Sequence, residues 1–158
     1  MALDVAAIDC EMIYTTGGMR VARVSVVDGS GKEVFDQLVR MDQGVEVMYV
    51  SPRFCMLSCL YLLSDYITRF SGITAETLSK ALLPLASIRQ SLDSFINANT
   101  ILIGHALEND LKTLRIIHHK CVDTAVLFPH RAGLPYRRAL RDLYGYHLLQ
   151  KVQRLTEL

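Results

Sequence analysis

The hydrophobic period changes once along this chain, and that change bounds its fold. Before residue 40 the apolar residues fall in β-branched runs broken by short turns. Beyond Thr74 they recur at helical spacing, interrupted by short apolar strands. Leu3 to Cys10 reads as a buried strand, Val21 to Val27 as a second and Glu33 to Arg40 as a third. Gly17-Gly18 and Asp28-Gly29-Ser30-Gly31 supply the turns between them. Short turns between consecutive strands predict an antiparallel meander. Leu85, Ile88, Leu92, Phe95 and Ile96 then share one helical face behind Pro84, and Thr100 to Ile103 is a short strand. Leu107, Leu111, Leu114 and Ile117 mark another helix, Val122 to Phe128 a further strand, and Pro135 opens a last helix carrying Leu140 and Leu143. Three meander strands followed by alternating helix and strand predict an α/β fold. Its mixed sheet is an antiparallel meander plus parallel strands, with helices on both faces.

At 158 residues the chain is read as one domain, 1–158. Half of it is apolar, which excludes a disordered chain. A net charge of +1 argues against tight, sequence-independent coating of a nucleic acid, although it permits a local basic patch. The longest charge-free apolar stretch, Phe54 to Ser64, has eleven residues. A membrane span needs about 20, so no membrane partner is expected. Asp4 and the lack of a basic start argue against a signal peptide. Cys10, Cys55, Cys59 and Cys121 form no zinc-site spacing and are read as reduced, buried thiols. His118-His119 reads as a solvated helix end, since adjacent helical residues diverge by about 100°.

Two features carry chemistry. Asp9 and Glu11 sit two apart at the end of the first apolar run, so they project from one face of a strand, where two negative charges repel. A divalent cation bound by hard oxygen ligands resolves that repulsion, and a strand end turning into solvent also accounts for an isolated pair. Asp110 lies in the first turns of a helix that follows a buried strand, the region where open α/β sheets place ligands. A third acid there completes a metal cluster, or complements a helix dipole.

The segments Ala7-Ile-Asp-Cys-Glu-Met12, Asp65-Tyr66-x-Thr68-Arg-Phe-Ser-Gly-Ile-Thr74, Thr100-Ile-Leu-Ile-Gly-His105 and Val122-Asp-Thr-Ala-Val-Leu-Phe-Pro-His130, with Asp110-Leu111, resemble the eukaryotic nuclear RNA exonuclease family of the DEDDh class. Tyr14-Thr-Thr16 and Leu134-Pro-Tyr-x-x-x-Leu140 fit as well. The resemblance implies a ribonuclease H-like fold and 3′→5′ removal of nucleotides from RNA ends in the nucleus. The implied chemistry is a two-metal-ion mechanism, with Asp9, Glu11 and Asp110 holding two Mg²⁺ or Mn²⁺. Met12 is implied to lie against the terminal base or sugar. Phe70, Ser71, Gly72, Ile73 and Thr74 are implied to line the slot for the 3′-end nucleotide, Phe70 having core packing as its other reading. His105 is read as a structural residue leading into the helix, and Asp123 as a structural or supporting acid. The implied partner is a single-stranded RNA 3′ end. DNA and the oligomeric state stay open. Arg131, Arg137, Arg138 and Arg141 with Tyr136 form a basic cluster, either a phosphate contact or a solvated helix face.

Two departures from the family pattern stand out. The DEDDh class closes its site with His-x-x-x-x-Asp on a later helix. Here His147 is followed five residues on by Val152, so neither role is carried over. The pattern predicts a chain truncated before the family's final helix. Residues 45–64 form an atypical apolar insertion, read either as packing over the surface which that helix would cover or as the mark of a variant transcript product or uncertain gene model. Loss of a general base slows hydrolysis about 10²–10⁴-fold. A non-catalytic nucleic-acid- or partner-binding variant is therefore the alternative reading.

Overall fold

The structure is a computed structural model and describes residues 2–47 and 68–145, with the side chains of Arg69 and Phe70 excepted. Val5–Thr15 (β1), Gly18–Asp28 (β2) and Glu33–Arg40 (β3) form the expected antiparallel meander. Thr68–Ser71 (α1), Ala75–Ser79 (α2), Leu83–Pro84 (β4), Leu85–Leu92 (α3), Ile101–Gly104 (β5), Glu108–Leu114 (α4), Cys121–Asp123 (β6) and Thr124–Leu127 (α5) follow. One six-stranded sheet has the order β4-β3-β2-β1-β5-β6, with β4, β5 and β6 joined in parallel to their neighbours.

Strand alternation distributes β1 between two faces. Ala6, Ile8 and Cys10 are buried and pack with Ile88 and Leu92 of α3, Leu107, and Leu114 of α4. Asp9, Glu11 and Ile13 point the other way, where Ile13 packs with Ala22 and Ile73. Helices thus cover both faces. Ala22 is the extra residue of a bulge opposite the Glu11–Met12 step of β1.

Two expected elements come out differently. The run from Val122 to Phe128 is not one strand. β6 stops at Asp123, whose carboxylate accepts the Ala125 N–H at 2.8 Å and starts α5. A capping acid outweighs the β-branched residues around it. Pro135 does not open a helix either. Tyr136 N–H returns to the Gly133 carbonyl at 3.0 Å in a turn, and helix begins only at residue 140. Cys121, read as buried, is exposed on the edge strand β6. His118 follows α4 and does not end it, its Nε2 lying 2.8 Å from the Thr100 carbonyl. Most of the 45–64 insertion, with Cys55 and Cys59, lies outside the described residues.

The turn from β5 into α4 carries local strain. Ala106 has φ 56°, the left-handed region that disfavours a Cβ. Ala106→Gly is expected to stabilise the fold by about 0.5–1 kcal/mol, after the entropy that glycine gives the unfolded chain. A thermal unfolding midpoint about 1–3 °C higher is the readout. An unchanged or lower midpoint would show that the turn is not strained.

Candidate active site

β1 outruns its neighbour. Its pairing with β5 covers Val5 to Ala7 only, against Ile101 to Ile103, while β1 itself continues to Thr15. Beyond Ala7 that edge of β1 has no strand partner in β5, and its backbone donors need other acceptors. Asp110 supplies one. Its Oδ1 accepts the Cys10 N–H at 3.1 Å, a hundred residues away in sequence. The helix after β5 therefore lays a carboxylate on the backbone between Asp9 and Glu11.

Three supports hold that helix in place. Gly104 allows close approach, since a Cβ there would meet Leu107 Cδ1 at 2.6 Å and the Ile8 carbonyl at 3.3 Å. Asp123 accepts the Ala106 and Leu107 N–H groups at 2.9 Å each. Burial pushes the Asp123 carboxyl up, but the donors from Ala125, Ala106 and Leu107 outweigh it and hold it below the usual range. His105 has both ring nitrogens engaged, Nδ1 with Thr124 Oγ1 at 2.8 Å and Nε2 with the Arg138 carbonyl at 2.9 Å. The structure thus gives His105 and Asp123 the structural parts read for them.

The carboxylates repel one another as their spacing requires. Asp110 is 4% exposed. Burial first, and then the charge of Asp9, push its carboxyl from 3.8 up to about 7. Glu11 is raised by burial and by Asp9, and partly relieved by Arg23. Arg23 is itself committed to Asp36, with Nε to Oδ1 at 2.6 Å. The Cys10 thiol lies on the core face, where burial and then Asp110 push it up, so it stays protonated. Among the described residues no three Asp, Glu, His or Cys side chains are drawn close enough to hold a metal ion. Asp9 is coupled to Glu11 and to Asp110 as two separate pairs.

The residues expected around the substrate divide. Met12 falls on the face opposite Asp9 and Glu11 and packs, partly buried, against the main core. Ser71 and Ile73 are buried, with Ile73 N–H bonded to Ser71 Oγ at 3.0 Å. Thr74 caps α2 through a reciprocal pair of bonds with Thr77. Gly72 and Ile73 border a cavity of about 600 Å³ that also reaches Arg23, Gln37, Thr77 and Lys80. The Phe70 side chain and His147 lie outside the described residues. A second cleft, of about 330 Å³, runs past Asp9, Ser25, His105, Thr124 and Leu140. Sequence reasoning did not assign Ser25 or Thr124 to the site. The i, i+2 strand pattern on β2 is the signal that places Ser25 and Arg23 on the face of the acids.

Comparison with known proteins agrees with this architecture. Exonuclease GOR of Pan troglodytes is 43% identical over 147 residues, 93% of this chain and 19% of that protein. The Homo sapiens protein named RNA exonuclease 1 homolog is 44% identical over 147 residues, 93% of this chain and 11% of that protein. RNA exonuclease 3 of Schizosaccharomyces pombe is 38% identical over 98% of this chain and 25% of its own length. The chain therefore spans a quarter or less of these relatives. No family model matches it. The Neurospora crassa Pan2 catalytic unit (protease and nuclease domain) superposes with a TM-score of 0.71 at 23% identity, over 94% of this chain and 23% of that one. A Saccharomyces cerevisiae Pan2 module in complex with AACCAA RNA does so with a TM-score of 0.63 at 20% identity, over 87% and 23%. At those identities the solved structures establish the ribonuclease H-like fold. In sequence, the chain is similar over nearly its whole length to part of eukaryotic proteins named exonucleases or RNA exonucleases.

Proposed function

We propose that this chain is the nuclease unit of a 3′→5′ exoribonuclease that trims RNA 3′ ends in the nucleus by hydrolysis. The observation that carries the reading is Asp110 seated on the Cys10 N–H, which brings a third carboxylate to the Asp9–Glu11 pair. The donor set suits Mg²⁺ or Mn²⁺: hard carboxylate oxygens, with Asp9 repelling both Glu11 and Asp110 in a way an ion would relieve, and a Cys10 thiol that stays protonated. Asp9, Glu11 and Asp110 would hold the ions. Divalent cations bound there supply charge neutralisation and Lewis acidity to phosphodiester cleavage. The chain's own residues fix the geometry: Asp123 and His105 pin the turn, Gly104 brings α4 against β1, and Asp9 faces a cleft open to a strand end.

A second reading, a non-catalytic RNA-binding form, is favoured by one observation. His105 has both ring nitrogens bonded, which leaves it no lone pair to serve as a general base.

A 5′-labelled single-stranded RNA in Mn²⁺, incubated beside the Asp9→Asn chain, decides between them. The expected result is a ladder that shortens from the 3′ end and disappears in the variant. Binding without shortening by a folded chain establishes the second reading. Cutting of a circular RNA would reject an exonuclease.

A further inference from the structure

Residues 128–145 carry Arg131, Arg137, Arg138 and Arg141 against a single acid, Asp142. The whole chain is only +1, so the remainder is net negative and positive charge is concentrated here. This segment is fastened beside the carboxylates. The Arg138 carbonyl meets His105 Nε2, and the Arg137 guanidinium is paired with Glu108 of α4, two residues before Asp110. Leu140 borders the same cleft as Asp9. The turn from His130 to Tyr136 is held internally. Gly133 N–H bonds the His130 carbonyl at 2.9 Å, and the His130 and Tyr136 rings lie 5.8 Å apart.

What the arm presents is uncommitted charge and an aromatic surface. Arg131 and Arg138 form no ion pair with another described residue. Tyr136 is 63% exposed. Unpaired guanidinium groups interleaved with exposed aromatic rings suit a polyanion that carries stackable bases.

We propose that the arm from His130 to Arg141 guides the part of a single-stranded RNA lying 5′ of the scissile end, with Arg131 and Arg138 on its phosphates and Tyr136 under a base. The proposal rests on the exonuclease reading and adds residues to it. Its carrying facts are the anchoring of the arm to α4 and the charge complementarity. A single-stranded contact contributes a slope of about 0.7 per phosphate to the dependence of log affinity on log salt.

The test is fluorescence anisotropy of a labelled single-stranded RNA of about 12 nucleotides, titrated with the full chain without divalent cation between about 50 and 200 mM salt. Arg131→Gln/Arg138→Gln is expected to bind roughly tenfold more weakly and to lower the salt slope by about 1.4. Arg131→Lys/Arg138→Lys is expected to restore most of both. Lys32→Gln/Lys120→Gln makes the same change in net charge elsewhere, and is expected to leave the slope nearly unchanged. Equal affinity and slope in the Gln pair and the wild type overturn the arm and leave the exonuclease reading intact. Equal losses in the two Gln pairs, or no rescue by Lys, overturn it as well. A wild-type chain that binds no RNA rejects the RNA-substrate reading itself, and the arm with it.

Discussion

Asp110→Asn is expected to make the metal-free protein more stable at pH 8 while cutting RNA shortening by at least about 10²-fold. The two effects share one cause. Burial and the neighbouring Asp9 charge raise the folded-state Asp110 carboxyl from 3.8 to about 7. A group raised on folding contributes its stability below its unfolded value and loses it as pH climbs through the folded one. The wild-type chain therefore weakens between pH about 4 and about 7. At pH 8 the penalty is of order 2 kcal/mol once the shift is discounted for solvent screening. An asparagine keeps an oxygen for the Cys10 N–H and carries no charge. Thermal melts at pH 5 and pH 8 should show the gap between variant and wild type wider at pH 8. Mn²⁺ should raise the wild-type midpoint and leave the variant's near its metal-free value. A gap that ignores both pH and Mn²⁺ would mean that Asp110 is not part of a charged cluster.

Asp123→Ala is expected to be among the most damaging single changes outside the carboxylates themselves. One side chain accepts from Ala106, Leu107 and Ala125, closing the turn into α4 and the start of α5 at once. Hydrogen bonds to a charged acceptor contribute about 1.5–3 kcal/mol each when buried. This site is partly exposed, so the total loss is set at about 3 kcal/mol. The unfolding midpoint should fall by about 6–12 °C. Asp123→Asn should lose less. Its oxygen at the Oδ1 position still takes the Ala106 and Ala125 donors, but its amide would face the Leu107 N–H. RNA shortening should fall with stability in both variants, because the strained Ala106 turn aims Asp110. Full activity in Asp123→Ala at a temperature where it remains folded would show that the turn is set by packing alone.

Much of this arrangement is legible in the sequence, for identifiable reasons. β3 spans Glu33–Arg40, as its alternation and flanking turns indicate. The placement of Asp9 and Glu11 on one face follows from the period of two, and Asp110 near a strand's carboxyl end follows from the apolar run before Gly104. The boundaries are less legible, because long-range pairing sets them. β1 continues five residues beyond Cys10, where the apolar pattern ends it, since β2 pairs with it as far as Thr15. The two-residue strand β4 has no local signature and exists only by pairing with Val39 and Arg40. The change from β6 to α5 turned on a single capping acid inside an apolar run. The anchoring of Arg138 by His105 joins residues 33 apart and could not be read from either segment alone.

The step where β5 ends and β1 runs on has a bearing on how such a domain can change over generations. Asp110 answers a backbone donor that the shortened neighbour leaves behind, so position 110 serves the fold apart from the chemistry proposed for it. A descendant released from selection for catalysis could exchange Glu11 for a neutral residue with little structural penalty. An aliphatic residue at 110 would orphan the Cys10 N–H in a buried place. Decay of the enzyme would therefore be channelled towards Asn, Ser or Thr at that position, and a silent copy would still carry a trace of its former site.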